Sequence, residues 1–357
     1  MHTRWMHRCL ELATLGAGDV APNPMVGAVL VQGDRILAEG WHRALGGPHA
    51  EVHCLNAYSG PIPADATLYV NLEPCAHHGR TPPCADLIVE RGVRNVMVGM
   101  QDPFPAVAGK GIERMRAAGI EVTIGVLEQD CRWLNRRFLT SVEQGRPYII
   151  LKWARSADGF LDRHPRGARE VQRISTPTTD VLVHRWRAEE QAILVGSRTV
   201  INDDPQLSVR HVPGRQPLRV VIDRTASTAA TSKVYDDSAP TLLFTAKHRS
   251  GIPCEQVLVG DVDNVLQRVL AELHHRQVRS LLVEGGATTL NAFLEEGLWD
   301  EARVIEGVLR FGAGTPAPVL MTKPRVLLEH STDRIALHID TRVLGEGSPT
   351  PTIAWPW

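Results

Sequence analysis

The segment His49-Ala50-Glu51, read together with Leu72-Glu73-Pro74-Cys75-Ala76-His77-His78-Gly79-Arg80-Thr81-Pro82-Pro83-Cys84, decides how this chain folds and what chemistry it carries. One imidazole and two thiols in this order make a three-ligand set for Zn²⁺ and leave a fourth tetrahedral position for water. His49, Cys75 and Cys84 are the expected ligands. Glu51 stands two residues from His49, close enough to serve a bound water without ligating the metal. Zinc brings the pKa of its water to about 7, and a neighbouring carboxylate can take the proton and return it to a leaving amine. The set points to hydrolytic deamination of an amidine-like ring carbon, with Glu51 as the catalytic residue. A closed zinc knuckle completed by His77 or His78 is the alternative, and it leaves Glu51 without a task.

Working outward, Pro48 suits the first turn of a helix running to about Ala57, which sets His49 and Glu51 at a helix N-terminus. Ala66–Leu72 alternates as a strand, and Cys84 opens a helix over Ala85–Arg91 closed by Gly92. Upstream lie a helix over Thr3–Leu15 and a hairpin of Met25–Val31 with Arg35–Gly40; downstream lie a strand Asn95–Met100, a helix Gly111–Ala118 and a strand Glu121–Val126. The order β-β-α-β-α-β-α-β predicts an α/β/α sandwich. Leu127–Glu143 reads as one amphipathic helix stopped by Gly145 and Pro147, which places a boundary between domains 1–145 and 146–357. The second domain reads as α/β, with strands Tyr148–Ala154, Ala192–Gly196, Leu218–Ile222, Thr241–Thr245 and Ser280–Val283 and closing strands after Glu301. Its helices lie at Thr179–Glu189, Val262–Arg276 and Thr288–Glu296.

A chain of 357 residues suits two domains, and 43% hydrophobic residues support packed interiors. A net charge of −1 and only 5% aromatic residues argue against a nucleic-acid partner. Six scattered cysteines do not make a disulfide framework, and no apolar run approaches the ~20 residues of a membrane span. No signal-peptide pattern is read at the N-terminus, so the expected location is cytoplasmic.

The motif H-x-E followed by P-C resembles the zinc-dependent nucleobase deaminases, with eight residues instead of two between the cysteines. N-P-M-V-G at 23–27, G-G-P-H-A-E at 46–51, the 73–84 segment and D-P-F-P-A-V-A-G-K-G at 102–111 narrow the resemblance to the bifunctional riboflavin-biosynthesis deaminase-reductase family. In the second half, K-W-A-R-S-A-D-G at 152–159, the stretch 186–210, R-Q-P-L-R-V-V-I-D at 215–223 and L-V-E-G-G at 282–286 are similar to its reductase part, the likeness fading after Pro316. The resemblance implies a cytidine-deaminase-like α/β/α sandwich followed by a dihydrofolate-reductase-like α/β domain, Zn²⁺ and NADPH as cofactors, and a small-molecule phosphoribosylamino-pyrimidine as substrate. It also implies a homo-oligomer, dimer or tetramer, with no nucleic-acid or membrane partner.

Several residues acquire roles on that basis. Asn23, between two prolines, could pair with a donor and an acceptor edge of a heterocycle, and in the family the matching residue contacts the base. His42 and His77 become substrate contacts by resemblance alone. Arg80 suits a phosphate but could equally be a solvated surface residue, and Asp102 reads as a turn cap. Ala154, Thr199, Asp203 and the turn Gly286-Ala287-Thr288-Thr289-Leu290-Asn291 would face NADPH. Arg187, Leu207, Arg210 and Glu284 would face the pyrimidine, and Lys152 could protonate the sugar end. The glycines of E-G-G allow close approach of a pyrophosphate, or simply a tight strand-to-helix turn. One stretch departs from the family pattern Ser-x-Trp-Ile-Thr: here Val171 replaces Ser and Arg173 replaces Trp. Arg173 could stack on a nicotinamide or reach a 2′-phosphate of the cofactor. The alternatives are a deaminase whose second domain does not reduce, and a zinc deaminase acting on RNA or nucleotides.

Overall fold

The computed structural model describes residues 2–77, 82–105, 107–167, 169, 171–260, 263–340 and 342. The chain divides after Gln144 into two compact units. In the first, α1 (His2–Thr14) carries Trp5, Met6, Cys9, Leu10 and Ala13 as one buried stripe, the helical spacing that packs a face onto a sheet. Then follow β1 (Gly27–Gln32), β2 (Arg35–Trp41), α2 (Ala50–Ala57), β3 (Thr67–Leu72), α3 (Cys84–Glu90), β4 (Asn95–Met100), α4 (Lys110–Ala117) and β5 (Glu121–Ile124), the predicted order. The sheet runs β2-β1-β3-β4-β5, antiparallel across its first three strands and parallel from β3 to β5. Alternate strand residues go to opposite faces. Ala28, Leu30, Leu68, Val70, Val96 and Val98 meet the three central helices, while Val29, Val31, Tyr69 and Leu72 meet α1 and the helices that close the unit.

Those closing helices correct one expectation. The stretch expected as a single helix is two, α5 (Glu128–Leu134) and α6 (Arg136–Gln144), interrupted at Asn135. The Asn135 side chain binds a distant backbone: Met25 N donates to its Oδ1 (2.8 Å) and its Nδ2 donates to Met25 O (3.0 Å). Both edges of the amide are spent on the backbone of one residue, Met25, and the helix is interrupted there.

The second unit contains β6 (Tyr148–Arg155), α7 (Pro177–Glu189), β7 (Ala192–Gly196), α8 (Ser197–Asp203), β8 (Leu218–Ile222), β9 (Thr241–Thr245), β10 (Glu255–Leu258), α9 (Val265–His275), β11 (Ser280–Val283), α10 (Ala287–Glu295), β12 (Glu301–Glu306), β13 (Val326–His330) and β14 (Asp333–Ile339). Its sheet order is β10-β9-β8-β7-β11-β6-β12-β14-β13, parallel from β10 to β12 with an antiparallel edge. The central strands are buried on both faces, which is why they read as continuous apolar runs. α9 and α10 cover one face through Val269, Leu273, Leu290 and Phe293.

Candidate functional site

In the first unit His49 precedes α2 with extended backbone (φ −73°, ψ 167°), and Cys84 is the first residue of α3. With Cys75, on the segment that leaves β3, they converge. His49 Nδ1 lies 3.6 Å from Cys75 Sγ and 3.3 Å from Cys84 Sγ, and all three donor atoms lie within 4.8 Å of one another. A tetrahedral zinc with ordinary Zn–N and Zn–S bonds needs N···S edges of about 3.6 Å. The donor set therefore fits the ion. The Cys84 thiol, outweighing burial, and then His49 pull the Cys75 thiol well below the ordinary thiol range, toward the thiolate a metal takes. Glu51 is buried beside this trio, and burial, opposed by His49, pushes its carboxyl up to about 7. A proton shuttle works best at such a value.

A polar framework holds the neighbouring segments. His42 is buried, with Nδ1 3.0 Å from Pro48 O. That nitrogen must carry the proton, so Nε2 accepts from Asn23 Nδ2 at 3.1 Å and the amide orientation of Asn23 follows. One amide hydrogen is used and Oδ1 is left as an acceptor. Met25, two residues on, is clamped by Asn135 and by Asn71, whose Nδ2 donates to Met25 O (3.1 Å) and whose Oδ1 accepts from Gly27 N (2.8 Å). On the other side, buried Glu73 accepts four backbone N–H groups: Gly111 (2.9 Å) and Ile112 (3.3 Å) at Oε1, Gly109 (2.9 Å) and Asp102 (3.2 Å) at Oε2. Gly111 is obligatory, because a Cβ there would sit 1.9 Å from Pro74 O. The 73–75 and 102–111 motifs are thus one structural unit. Asp102 accepts from Phe104 N (2.8 Å), the expected turn cap, and burial pushes its carboxyl up to about 6. His77 is exposed, and its charge acts on Asp102. Arg80 and His78 lie outside the described residues.

The second unit encloses a cavity of about 1220 Å³ that Lys152, Ala154, Arg173, Arg187, Thr199, Asp203, Leu207, Arg210 and Glu284 line, with residues 286–289. Glu284 is its anchor. Arg187 Nε donates to Oε1 (2.7 Å) and Nη2 to Oε2 (2.8 Å), while Lys152 Nζ lies 3.5 Å from Oε2. Burial would raise this carboxyl, but Arg187 and Lys152 outweigh it and bring it down to about 2. Leu207 is buried with φ 54°, an uncommon backbone for an apolar residue and one that turns the chain toward Ser208 and Arg210. Arg210 Nη1 donates to Ser208 Oγ (2.9 Å).

At the expected cofactor turn, Gly286 N donates to Thr199 Oγ1 (2.9 Å). Gly285 is needed by the fold itself, since a Cβ there would meet Thr289 Cβ at 2.8 Å. Of the six residues 286–291, the last two do not line the cavity. Leu290 is fully buried in the core against the sheet, and only one face of a helical first turn can look into the cavity. Asp203 accepts from Arg166 Nη2 (2.5 Å). Arg173, expected at the cofactor, lines the same cavity, is paired with Asp180, and its charge bears on Arg210.

Sequence reasoning missed Asn71, Asn135 and Glu73, whose partners are remote backbone groups with no spacing signal. It also missed Asp180 and His184, which share with Arg187 the i, i+4, i+7 spacing of one face of α7. His184 Nδ1 accepts from Arg210 N (3.0 Å), and burial, then Arg187 and Arg210, lower its pKa to about 3. It is the neutral peg that holds the Arg210 backbone.

Residues 1–100 match the cytidine and deoxycytidylate deaminase zinc-binding region family, and residues 147–350 match the RibD C-terminal domain family, well past Pro316. The riboflavin biosynthesis protein RibD of Aquifex aeolicus (strain VF5) is 41% identical over 320 residues, 87% of this chain and 88% of the relative. That of Escherichia coli (strain K12) is 38% identical over 317 residues, 83% and 85% respectively. Among solved structures, the Thermotoga maritima diaminohydroxyphosphoribosylaminopyrimidine deaminase/5-amino-6-(5-phosphoribosylamino)uracil reductase superposes with a TM-score of 0.84 at 34% identity, covering 94% of this chain and 97% of the other. Acinetobacter baumannii RibD gives 0.84 at 35%, covering 95% and 98%.

Proposed function

Since the chain belongs to the RibD family of bifunctional riboflavin-biosynthesis deaminase-reductases, we propose that its two units act in turn on one phosphoribosylamino-pyrimidine through the residues assembled above. It is an enzyme with a cytidine-deaminase-like zinc domain followed by a dihydrofolate-reductase-like domain. The substrate is 2,5-diamino-6-(5-phosphoribosylamino)pyrimidin-4(3H)-one.

In the first unit His49, Cys75 and Cys84 would hold Zn²⁺, which when bound supplies a Lewis acid that lowers the pKa of a water to about 7. Asn23, oriented by His42, holds the polar edge of the pyrimidine, and His77 and Arg80 serve its sugar-phosphate side. Glu51 takes a proton from the attacking water and returns it to the amino nitrogen. The C2–N bond breaks, ammonia leaves and C2 keeps the oxygen. The observation that carries this reading is the carboxyl of Glu51, buried beside the ligand trio without belonging to it.

In the second unit the cavity exceeds the ~300–1,000 Å³ of a single small-ligand site, so cofactor and substrate can lie together. Thr199, Ala154, Asp203 and the 286–289 turn would hold NADPH, which when bound supplies the hydride. Arg187, Glu284, Leu207 and Arg210 hold the pyrimidine and its phosphate. Lys152, kept in place by Glu284, hands a proton to the sugar oxygen as C1′ is reduced. A homo-oligomer, dimer or tetramer, is supported by family membership, and a reducing cytoplasm by the need for two thiolate ligands. Among the described residues, no helix is long and apolar enough to cross a membrane.

The test is mass spectrometry of the diaminopyrimidine after incubation with zinc-loaded protein, with and without NADPH. An amino group exchanged for oxygen in both samples, with two hydrogens gained only with NADPH, is the expected result. Deamination without reduction would remove the second half of the proposal, and no deamination would remove the first.

A further inference from the structure

One end of the second-unit cavity is lined by Lys152, Arg173, Asp180, Arg187, Arg210 and Glu284. Among the described residues, four cations meet two carboxylates there, a formal excess of two positive charges. Glu284 is committed to Arg187 and Lys152. Asp180 stands among the three arginines: one oxygen holds Arg173, the other accepts the Ser175 hydroxyl (3.1 Å), and its charge acts on Arg187 and Arg210. Asp180 is paired with Arg173, and Arg210, on which Asp180 and Glu284 both act, shares these acids with the other cations. Burial, then the charges of Arg187 and Arg173, lower the pKa of Arg210 against the opposing charges of Asp180 and Glu284, so like charges are held near one another here. A phosphate monoester carries about −1.5 to −2 near neutrality, which matches the excess.

The side chain of Arg173 is 69% exposed, so it can turn from Asp180 to a ligand without breaking any packing. Val171, 57% exposed at the same cavity, offers no hydroxyl where the family pattern has Ser. We propose that Arg173 is a substrate ligand that closes with Arg210 on the 5-phosphate of the phosphoribosylamino-uracil, so that a guanidinium clamp replaces the Ser-x-Trp arrangement in this chain. Asp180 holds the Arg173 guanidinium ready and yields it to the better-matched phosphate, which accepts two parallel N–H groups from each arginine. This inference rests on the proposed reductase reading for the identity of its ligand.

The experiment compares zinc-loaded full-length wild type with R173A and R173W. Calorimetric titration with ribose 5-phosphate reads the phosphate site without turnover. NADPH oxidation is measured with the phosphorylated pyrimidine and with the same compound lacking its phosphate, and deamination by each preparation reports on folding. Losing one charge-assisted contact should weaken ribose 5-phosphate binding about 10- to 100-fold in both variants. KM for the phosphorylated substrate should rise by the same factor. In R173A, KM for the phosphorylated substrate should change far more than kcat or KM for NADPH, the phosphate-free reaction should change less than the phosphorylated one, and R173K should recover part of the loss. Unchanged phosphate binding would overturn the clamp. So would a change in KM for NADPH as large as that for the phosphorylated substrate, which would put Arg173 at the cofactor. A wild type that reduces nothing would remove the reductase reading, and ribose 5-phosphate binding would still decide the role of Arg173.

Discussion

Replacing Glu73 by Gln tests whether the metal centre is held by the backbone network behind it. Each carboxylate oxygen of Glu73 accepts two N–H groups, one at 2.9 Å and one at 3.2–3.3 Å, from the first turn of α4 and the segment that leads into it. Glutamine keeps one acceptor oxygen. Its amide nitrogen would face the other two N–H groups donor to donor, in a buried site. Two hydrogen bonds to a charged acceptor are lost at ~1.5–3 kcal/mol each, so the unit should be destabilised by about 3–6 kcal/mol. In a domain of this size 1 kcal/mol moves Tm by about 2–4 °C, which predicts a fall of roughly 10 °C. Because Pro74 O lies against Gly111 and Cys75 is the next residue, the same change should loosen a zinc ligand.

The assay is differential scanning calorimetry of the zinc-loaded full chain, with the rate of zinc transfer to a chromophoric chelator. The transition of the first unit should drop and zinc transfer should quicken, while reduction of the already deaminated substrate stays at the wild-type level. A first-unit transition within about 2 °C of wild type, with unchanged zinc transfer, would refute the claim that Glu73 positions Cys75.

Glu51→Gln should lower deamination by about 10²- to 10⁴-fold and leave zinc content, read by atomic absorption, at the wild-type value. Loss of zinc instead would mean that Glu51 supports the ligands. A strong chelator should abolish deamination and spare NADPH-dependent reduction; equal loss of both would show that zinc supports the whole chain. Stability of the second unit should fall with pH in two windows. Neutral His184 is held at about 3 against an ordinary 6.5, and Glu284 at about 2 against 4.5. Both folded-state values are depressed, so the unfolded chain binds more protons below pH 6.5 for His184 and below 4.5 for Glu284, and each contribution is lost as pH falls through its window. Urea midpoints between pH 7.5 and 4 should decline, and H184Q should flatten the part near pH 5–6.5. A midpoint independent of pH would contradict the buried neutral His184.

The central strands were legible because burial on both faces leaves no room for polar alternation. Asn95–Met100, Ala192–Gly196, Leu218–Ile222, Thr241–Thr245 and Ser280–Val283 agree residue for residue with the sequence expectation. The break at Asn135 was not legible, since the apolar stripe continues across it and the cause is a pair of hydrogen bonds to Met25, 110 positions away. The seven-residue α8 and the edge strand β10 were also missed. Each is too short to set up a period, and β10 has no fully buried residue to mark a face.

The same distinction separates the two halves of the site. Metal ligands are recognised by their own chemistry, and His, Cys and Cys keep that signature wherever the chain takes them. Glu73, Asn71 and Asn135 act on peptide groups, and any residue can supply a peptide group, so nothing in the partner sequence announces the contact. In the second unit the Leu290 side chain packs into the core because α10 must also bury a face against the sheet, a division within one helical turn that the glycine motif does not announce. The helical stripe Asp180, His184, Arg187 shows the converse: polar residues at i, i+4 and i+7 inside a packed helix have to look into a polar space. Arg173 acquires its meaning from that stripe, because the first residue in it, Asp180, is the one that holds the guanidinium beside Arg210.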